Sequence, residues 1–192
     1  MPLALADFRL PLDLAAFRLL NQDGGPWLDG AARVLSSHAF GVGVGLVLAF
    51  LLWRSLGRLA LRSVLALGLA VALADSLGSQ LLRPLIGRAR PCYALPAAEV
   101  RWILPAADVP SLPSLHAANL FALALVATLG DRRLGPPAYA AATAVALSRV
   151  YGGVHWPSDA LAGAAWGTLW GAVAWLVATR AFRPAGEGRR AD

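Results

Sequence analysis

The sequence predicts an all-α integral membrane protein, a bundle of five transmembrane helices with an N-terminal interfacial or sixth helix. The first observation is composition: 58% of the 192 residues are hydrophobic and 15% are charged, a balance that favours a membrane protein over a soluble domain. The second is a set of five long runs with few or no charges, at 34–53, 63–82, 109–130, 134–148 and 160–179. A helix needs about 20 apolar residues to cross the bilayer core, and residues 150–153 complete the fourth run.

The third observation is the distribution of positive charge. The net charge of +6 comes from arginine alone, since the chain has no lysine. If the five spans alternate in direction, one side of the membrane receives the arginines of the short connections, which are Arg54, Arg58, Arg62, Arg132, Arg133 and Arg180. The positive-inside rule makes that side cytoplasmic, so the segments 83–113 and 152–158 are predicted to be extracytoplasmic. Charges spread over both ends of a bundle argue against nucleic acid as a partner.

The N-terminal segment, residues 1–37, contains too many charges and prolines for a clean span. The spacing of Leu12, Phe17 and Leu20 predicts an amphipathic helix in the membrane interface, followed by a short helix over 27–35. We divide the chain into this segment, a transmembrane bundle over 38–182 and a polar cytoplasmic tail over 183–192.

Glycines in two spans predict close helix packing. Gly41, Gly43 and Gly45 lie in the first span, and the last span has glycine at every fourth position, at 163, 167 and 171. Residues 102–104, in the outer segment, are predicted to rest on lipid headgroups. Asp75, a carboxylate inside the second span, is predicted to make a polar contact within the bundle or to support an arginine.

The polar chemistry is concentrated in three clusters. In the segment 148–159, Pro157 suits the first position of a helix, which places Asp159 in its first turn and within reach of His155. A carboxylate that accepts one imidazole N–H leaves the other ring nitrogen available as a nucleophile or base. Ser114 at a helix N-cap exposes backbone N–H groups that can bind an anion, and His116 follows it.

The third cluster consists of arginines on the predicted outer face, where the positive-inside rule does not explain them. Arg83 and Arg90 follow the second span, and Arg149 precedes the last outer loop. Guanidinium groups match phosphate oxygens in geometry and charge, so the topology predicts a pocket for a dianionic phosphate. Each residue alone also has an ordinary structural explanation, such as capping or an interfacial hydrogen bond. Their convergence at one face favours a site.

These residues resemble the three-part signature of the type 2 phosphatidic acid phosphatase superfamily. The matching motifs are Arg83 with Arg90-Pro91, Pro113-Ser114-Leu115-His116, and Ser148-Arg149 with His155 and Asp159. Two positions depart from that pattern, since the family usually has lysine where this chain has Arg83 and glycine where it has Leu115. Arg88 lies outside the signature and is left out of the core set, although it could help to bind phosphate.

The resemblance implies a membrane lipid phosphatase of the bacterial inner membrane that needs no metal or other cofactor. His155, oriented by Asp159, would form a phosphohistidine, and His116 would protonate the leaving oxygen. The phosphate would be bound by Arg83, Arg90, Ser114 and Arg149.

Undecaprenyl diphosphate is the first choice of substrate, with phosphatidylglycerophosphate, phosphatidate and the lipid A phosphate left open. A phosphotransferase and an inactive phosphate-lipid-binding protein are the alternatives. The sequence does not determine the oligomeric state.

Overall fold

The structure, a computed structural model, describes residues 11–182, which contain no strand and form helices joined by short connections, apart from the longer outer segment over 87–114. The predictions for residues 1–10 and for the tail over 183–192 lie outside the described residues. In chain order the helices are α1 (Pro11–Leu20), α2 (Gly25–Leu35), α3 (His38–Leu56), α4 (Ala60–Leu77), α5 (Arg83–Ile86), α6 (Pro91–Ala94), α7 (Leu115–Gly130), α8 (Gly135–Tyr151) and α9 (Pro157–Ala181). The predicted all-α membrane fold is confirmed.

Three helical stretches are long and apolar enough to cross a membrane, namely His38–Leu56, Ala60–Ile86 and Pro157–Ala181. The second of these joins α4 to α5 through a π-helical segment, Gly78–Leu82. α7 and α8 are shorter, with 16 and 17 residues, so the count of five transmembrane helices stays a prediction. The helix predicted from the third apolar run, 109–130, also begins later than the run does. Pro110 and Pro113 disfavour helix in the residues before them, and the helix begins at Leu115.

The core of the bundle is the contact between α7 and α9, and glycine makes it possible. A Cβ added at Gly163 would lie 2.4 Å from the carbonyl oxygen of Ser114, and one at Gly167 would lie 1.9 Å from that of Ala118. Distances this short leave no room for any side chain, so the two backbones touch along the glycine face. The predicted packing role of the glycines at 163, 167 and 171 is confirmed.

The glycines of α3 have a different role from the one predicted. A Cβ at Gly41 or Gly45 would meet a leucine side chain of α7 only at 3.7 Å, and one at Gly43 would meet nothing within 4 Å. The interpretation of these glycines as a close helix contact is therefore wrong. Gly41 and Gly45 instead line a pocket between α3 and its neighbours, where a larger residue would occupy the space.

The two N-terminal helices pack against the end of the bundle that holds this pocket. Phe17 of α1 is fully buried, and its ring lies 5.3 Å from that of Trp156, centroid to centroid. Leu12 of α1 and Trp27 of α2 are 85% and 91% exposed, which suits contact with lipid. With 10 and 11 residues, neither described helix is long enough to cross the bilayer core.

The outer segment between α5 and α7 folds over the same end of the bundle. Leu104 is 2% exposed, and its side chain fills the space where a Cβ on Gly152 would lie. Leu104 therefore packs into the protein and does not rest on headgroups as the sequence suggested, whereas Trp102 is half exposed. Pro105 and Val109 from this segment line the pocket.

Candidate active site

A pocket of about 700 Å³ lies at the end of the bundle where α3, α7 and α9 begin and α5 and α8 end. Five of the seven predicted site residues line it: Arg83, Arg90, His116, Arg149 and His155. The other two, Ser114 and Asp159, are fully buried directly behind its wall. Residues separated by up to 76 positions in the chain thus meet in one place.

His155 and Asp159 form the pair that their spacing predicted. His155 Nδ1 lies 3.3 Å from Asp159 Oδ2, and the same oxygen accepts a 2.9 Å hydrogen bond from the Trp156 backbone N–H. A carboxylate only accepts hydrogen bonds, so Nδ1 is the protonated nitrogen and Nε2 carries the lone pair. Nε2 lies 3.1 Å from Nη1 of Arg90, on the pocket side of the ring.

The loop before α9 sets this geometry. Gly153 has φ of +82°, and a Cβ there would lie 2.6 Å from the Arg101 carbonyl oxygen, so this position favours glycine on both counts. Pro157 then begins α9, and Asp159 occupies the first turn, where a carboxylate stabilises the exposed N–H groups.

The three pocket arginines are held in different ways. Arg90 donates to two backbone carbonyls, Val109 through Nε and Val154 through Nη1, each at 3.0 Å. Arg83 donates from Nε to the Pro113 carbonyl at 3.3 Å. The Nε of Arg149 is buried without a hydrogen-bond partner among residues 11–182. Unused guanidinium donors facing a cavity can bind an oxyanion.

The start of α7 contributes to the pocket through Leu115 and His116. Ser114 is the N-cap residue, as predicted, but its hydroxyl does not cap the helix and has no partner in the described part of the chain. The His116 ring lies 5.5 Å from that of His38, centroid to centroid, and the Ser36 backbone is within hydrogen-bonding reach of it. His38, at the start of α3, also lines the pocket and had no part in the sequence-based prediction.

Burial makes His155 a neutral base. Removal from water, and then the positive charges of Arg90, Arg149 and Arg83, hold the pKa of His155 well below its ordinary value. The imidazole is therefore uncharged near pH 7, and its Nε2 lone pair accepts the hydrogen bond from Nη1 of Arg90. Among the described residues no group of three or more His, Cys, Asp or Glu side chains is arranged to hold a metal ion.

Arg88, which the sequence allowed as a further phosphate ligand, lies outside the pocket lining and is 1% exposed. Its Nη1 donates to Asp159 Oδ1 at 2.7 Å and to the Ser158 hydroxyl at 2.6 Å, and its Nη2 donates to Asp13. Arg88 therefore fixes the carboxylate that orients His155. The guanidinium also neutralises part of the negative charge that would otherwise be buried there.

Asp13, in the first turn of α1, is the partner that sequence reasoning missed. It is 6% exposed and accepts hydrogen bonds from the Ser158 backbone N–H at 2.8 Å and from the Ser158 hydroxyl at 2.5 Å, besides its bond from Arg88. Asp13 lies 146 positions from Asp159, and no periodic pattern links them. The only signal in the sequence was a carboxylate in the first turn of a mostly apolar helix.

Comparison with known proteins identifies the family of this arrangement. The family model described as "PAP2 superfamily" matches residues 59–183. The chain belongs to the PAP2 superfamily. That match covers the pocket arginines, both predicted catalytic histidines and Asp159, while α1, α2 and α3 precede it. The resemblance based on the three motifs is confirmed.

Relatives extend the comparison. A lipid A 4'-phosphatase from Bacteroides thetaiotaomicron is 34% identical over 126 residues, which are 63% of this chain and 56% of that protein. The chain thus spans little more than half the length of this curated relative. The crystal structure of Aquifex aeolicus LpxE aligns with a TM-score of 0.71 and 26% identity, covering 86% of this chain and 95% of that one.

The fold is also that of a transmembrane PAP2-type phosphatidylglycerolphosphate phosphatase from Bacillus subtilis. This structure aligns with a TM-score of 0.69 and 19% identity, covering 90% of this chain and 87% of that one. At this identity the likeness concerns the fold alone.

Proposed function

We propose that this chain is a membrane lipid phosphatase that works through a phosphohistidine on His155. One observation carries the proposal: His155 is paired through Nδ1 with Asp159 and presents Nε2 to a pocket lined by Arg83, Arg90 and Arg149. A phosphate bound by these arginines would have its phosphorus atom close to that lone pair.

In the first step Nε2 attacks phosphorus as the bond from phosphorus to the lipid oxygen breaks. His116, which lines the same pocket, gives a proton to the leaving oxygen. Positive charge develops on His155, and Asp159 stabilises it through Nδ1–H. The arginines neutralise the phosphoryl oxygens throughout, which is the main electrostatic contribution to such a transfer.

In the second step water attacks the phosphohistidine and His116 takes a proton from it. The bond from phosphorus to Nε2 breaks, and inorganic phosphate leaves with His155 neutral again. His116 then carries the proton that the next cycle requires. His155 and His116, which form and break the bonds in both steps, line the pocket.

The pocket supports a lipid as the phosphate carrier. Away from the arginines its wall becomes apolar, with Val42, Leu46 and Ala49 from α3 and Leu67 and Val71 from α4. An alkyl or prenyl chain can leave the phosphate site along this surface without losing contact with hydrocarbon.

Undecaprenyl diphosphate is our sequence-based first choice of substrate, and the names of the relatives add lipid A phosphate and phosphatidylglycerophosphate. We place the protein in a bacterial inner membrane with this site extracytoplasmic. The arginines of the short connections, at 54, 58, 132 and 133, support that orientation because they lie at the opposite end of the bundle.

The experiment that tests the activity measures phosphate release by detergent-purified protein in EDTA. The substrates are undecaprenyl diphosphate, lipid A phosphate, phosphatidylglycerophosphate and phosphatidate. Wild type is compared with His155→Ala, and both are quenched in alkaline detergent during turnover of ³²P-labelled substrate to trap phosphoprotein. We expect acid-labile label on the wild type and none on His155→Ala.

Three results would each contradict part of this proposal. Release that needs a lipid or sugar acceptor would indicate a phosphotransferase. Binding of every lipid by a folded wild type without release would indicate a phosphate-lipid-binding protein. Label that persists without His155 would exclude this nucleophile.

The orientation has its own test, with Cys92 replaced by serine so that single new cysteines can be compared. We expect a membrane-impermeant maleimide to label Ala98→Cys in intact cells and to label Arg133→Cys only after the membrane is opened. Both positions are exposed and lie at opposite ends of the bundle. The reverse pattern would place the pocket in the cytoplasm.

A further inference from the structure

One charged residue on the pocket wall has the wrong sign for binding phosphate. Asp75 of α4 lines the same pocket as Arg83, Arg90 and Arg149. A carboxylate within a membrane-spanning helix costs several kcal/mol and generally has a function. Asp75 would also repel a phosphate group, so its position calls for a different partner.

The contacts of Asp75 leave one of its oxygens available. Nδ2 of Asn119 donates to Asp75 Oδ1 at 2.9 Å, and this fixes the orientation of the carboxylate. Oδ2 has no hydrogen-bond partner among residues 11–182, and no arginine nitrogen of those residues lies within 4.0 Å of the carboxylate. Arg83 is near, but it donates to the Pro113 carbonyl instead.

Asn119 is held there at a cost. Its amide nitrogen must face Asp75, because a carboxylate only accepts, so the amide oxygen points elsewhere and is buried without a partner in the described chain. An unpaired buried carbonyl is unfavourable. This unfavourable arrangement is explained if the structural role of Asn119 is to orient the carboxylate of Asp75.

The position of the pair along the pocket indicates what it faces. Asn119 lies three residues after His116 on α7, about one helical turn further from the phosphate-binding end. Beyond it the wall is apolar, with Leu120 and Leu123 of α7. The carboxylate thus lies between the site for the leaving oxygen and the surface for hydrocarbon, next to the first atoms of the leaving group.

We infer that Asp75, positioned by Asn119, accepts a hydrogen bond from a hydroxyl or amide N–H that neighbours the phosphate on the substrate. The substrate class is then a lipid whose phosphate is carried by a polyol, such as a sugar or glycerol. A lipid whose phosphate joins a hydrocarbon chain directly offers no donor and leaves the carboxylate facing CH groups. This inference rests on the proposed function and narrows its substrate.

The test compares two substrates in each variant. One is phosphatidylglycerophosphate or a phosphorylated glucosamine lipid, and the other is undecaprenyl phosphate, which has no donor beside its phosphate. In Asp75→Asn we expect kcat/KM to fall about 10- to 100-fold on the polyol lipid, the range for one hydrogen bond to a charged group. On the prenyl lipid it should stay within a factor of two or rise, because a negative charge near the phosphate is removed.

Asn119→Ala should give the same pattern with a smaller loss, since the carboxylate remains but is no longer oriented. Ser76→Ala, next to Asp75 but outside the pocket lining, is the control and should change neither substrate. Equal losses on both substrates in Asp75→Asn would show a merely structural pair and would overturn the inference. No loss on either would overturn it as well.

Binding separates this inference from the proposed mechanism. In the His155→Ala background the dissociation constants of both uncleaved lipids can be measured whether or not the wild type hydrolyses them. We expect adding Asp75→Asn to weaken the polyol lipid about 10-fold or more and to leave the prenyl lipid unchanged. An inactive wild type with this binding pattern would refute the proposed phosphatase activity and support the role of Asp75 in substrate binding. An active wild type without this binding pattern would support the phosphatase activity and refute the role of Asp75.

Discussion

Replacing Arg88 by methionine should destabilise this protein more than its distance from the pocket suggests. The side chain is 1% exposed and donates to Asp13 and to Asp159, which are themselves 6% and 0% exposed. Methionine keeps much of the volume but leaves two buried carboxylates facing each other without a cation. Breaking a buried pair in this way costs about 3–5 kcal/mol.

That cost can be read as a thermal shift. For a domain of this size 1 kcal/mol corresponds to roughly 2–4 °C in Tm, so Arg88→Met should lower Tm by about 6–20 °C in detergent. Adding Asp13→Asn removes one of the two unpaired charges and should recover part of the loss, with a coupling of about 0.5–3 kcal/mol. Phosphate release should fall in the single variant even well below its Tm, because Asp159 loses the group that fixes it.

Arg18→Met is the matched control. Arg18 pairs with Glu99 at 2.6 Å, but their side chains are 56% and 42% exposed, so the same substitution should cost less than about 1 kcal/mol. A Tm of Arg88→Met within 2 °C of the control, or a double variant with purely additive losses, would refute this account of the network.

Three further outcomes are expected. Ser114→Ala should reduce phosphate release about 10-fold while Tm stays within 2 °C of wild type, because the hydroxyl has no partner to lose in the described chain; a large loss of Tm would instead give it a structural role. Gly167→Ala should destabilise by at least about 1–3 kcal/mol, since its Cβ would lie 1.9 Å from the Ala118 carbonyl, whereas Gly43→Ala, with nothing within 4 Å, should be neutral or slightly stabilising; equal Tm values would contradict the packing argument. The folded-state pKa of His155 lies below that of the unfolded chain, so the unfolded chain binds a proton first as the pH falls. Below about pH 6.5 this residue should therefore reduce the stability by at most about 1.4 kcal/mol per pH unit. His155→Gln should flatten that part of a Tm profile between pH 7.5 and 5, and an unchanged slope would show that other groups cause the loss.

The sequence predicted those parts of the site that depend on local spacing or on alternation of spans. His155 and Asp159 are four residues apart across a helix start, so the proline and the carboxylate were enough to place them together. Arg83, Arg90 and Arg149 could be assigned to one end of a bundle because the direction of each helix follows from the previous one. The packing face of α9 could also be predicted, because glycines four residues apart lie on the same side of a helix.

The parts that could not be predicted depend on contacts between distant segments. Asp13 meets Ser158 and Arg88 across separations of 145 and 75 residues, and nothing in the local pattern of α1 specifies either partner. The glycines of α3 have the same spacing whether a neighbouring backbone or an empty pocket faces them. Only the position of α7, whose leucines lie 3.7 Å from the added Cβ atoms, decides between these two roles.

Arg88 and Arg90 show why composition alone does not identify a phosphate site. Both lie in one short segment with the same side chain, yet Arg88 is paired with two buried carboxylates and Arg90 reaches the pocket beside His155. The charges that remain on the pocket wall are those of Arg83, Arg90 and Arg149, opposed by Asp75. Three positive charges and one negative leave a net of two, and the proton that His116 carries at the start of the cycle makes it three. The wall thus carries the charge for a phosphate dianion and a proton for the leaving oxygen, while the carboxylate of Asp75 is left for a neutral hydrogen-bond donor on the substrate.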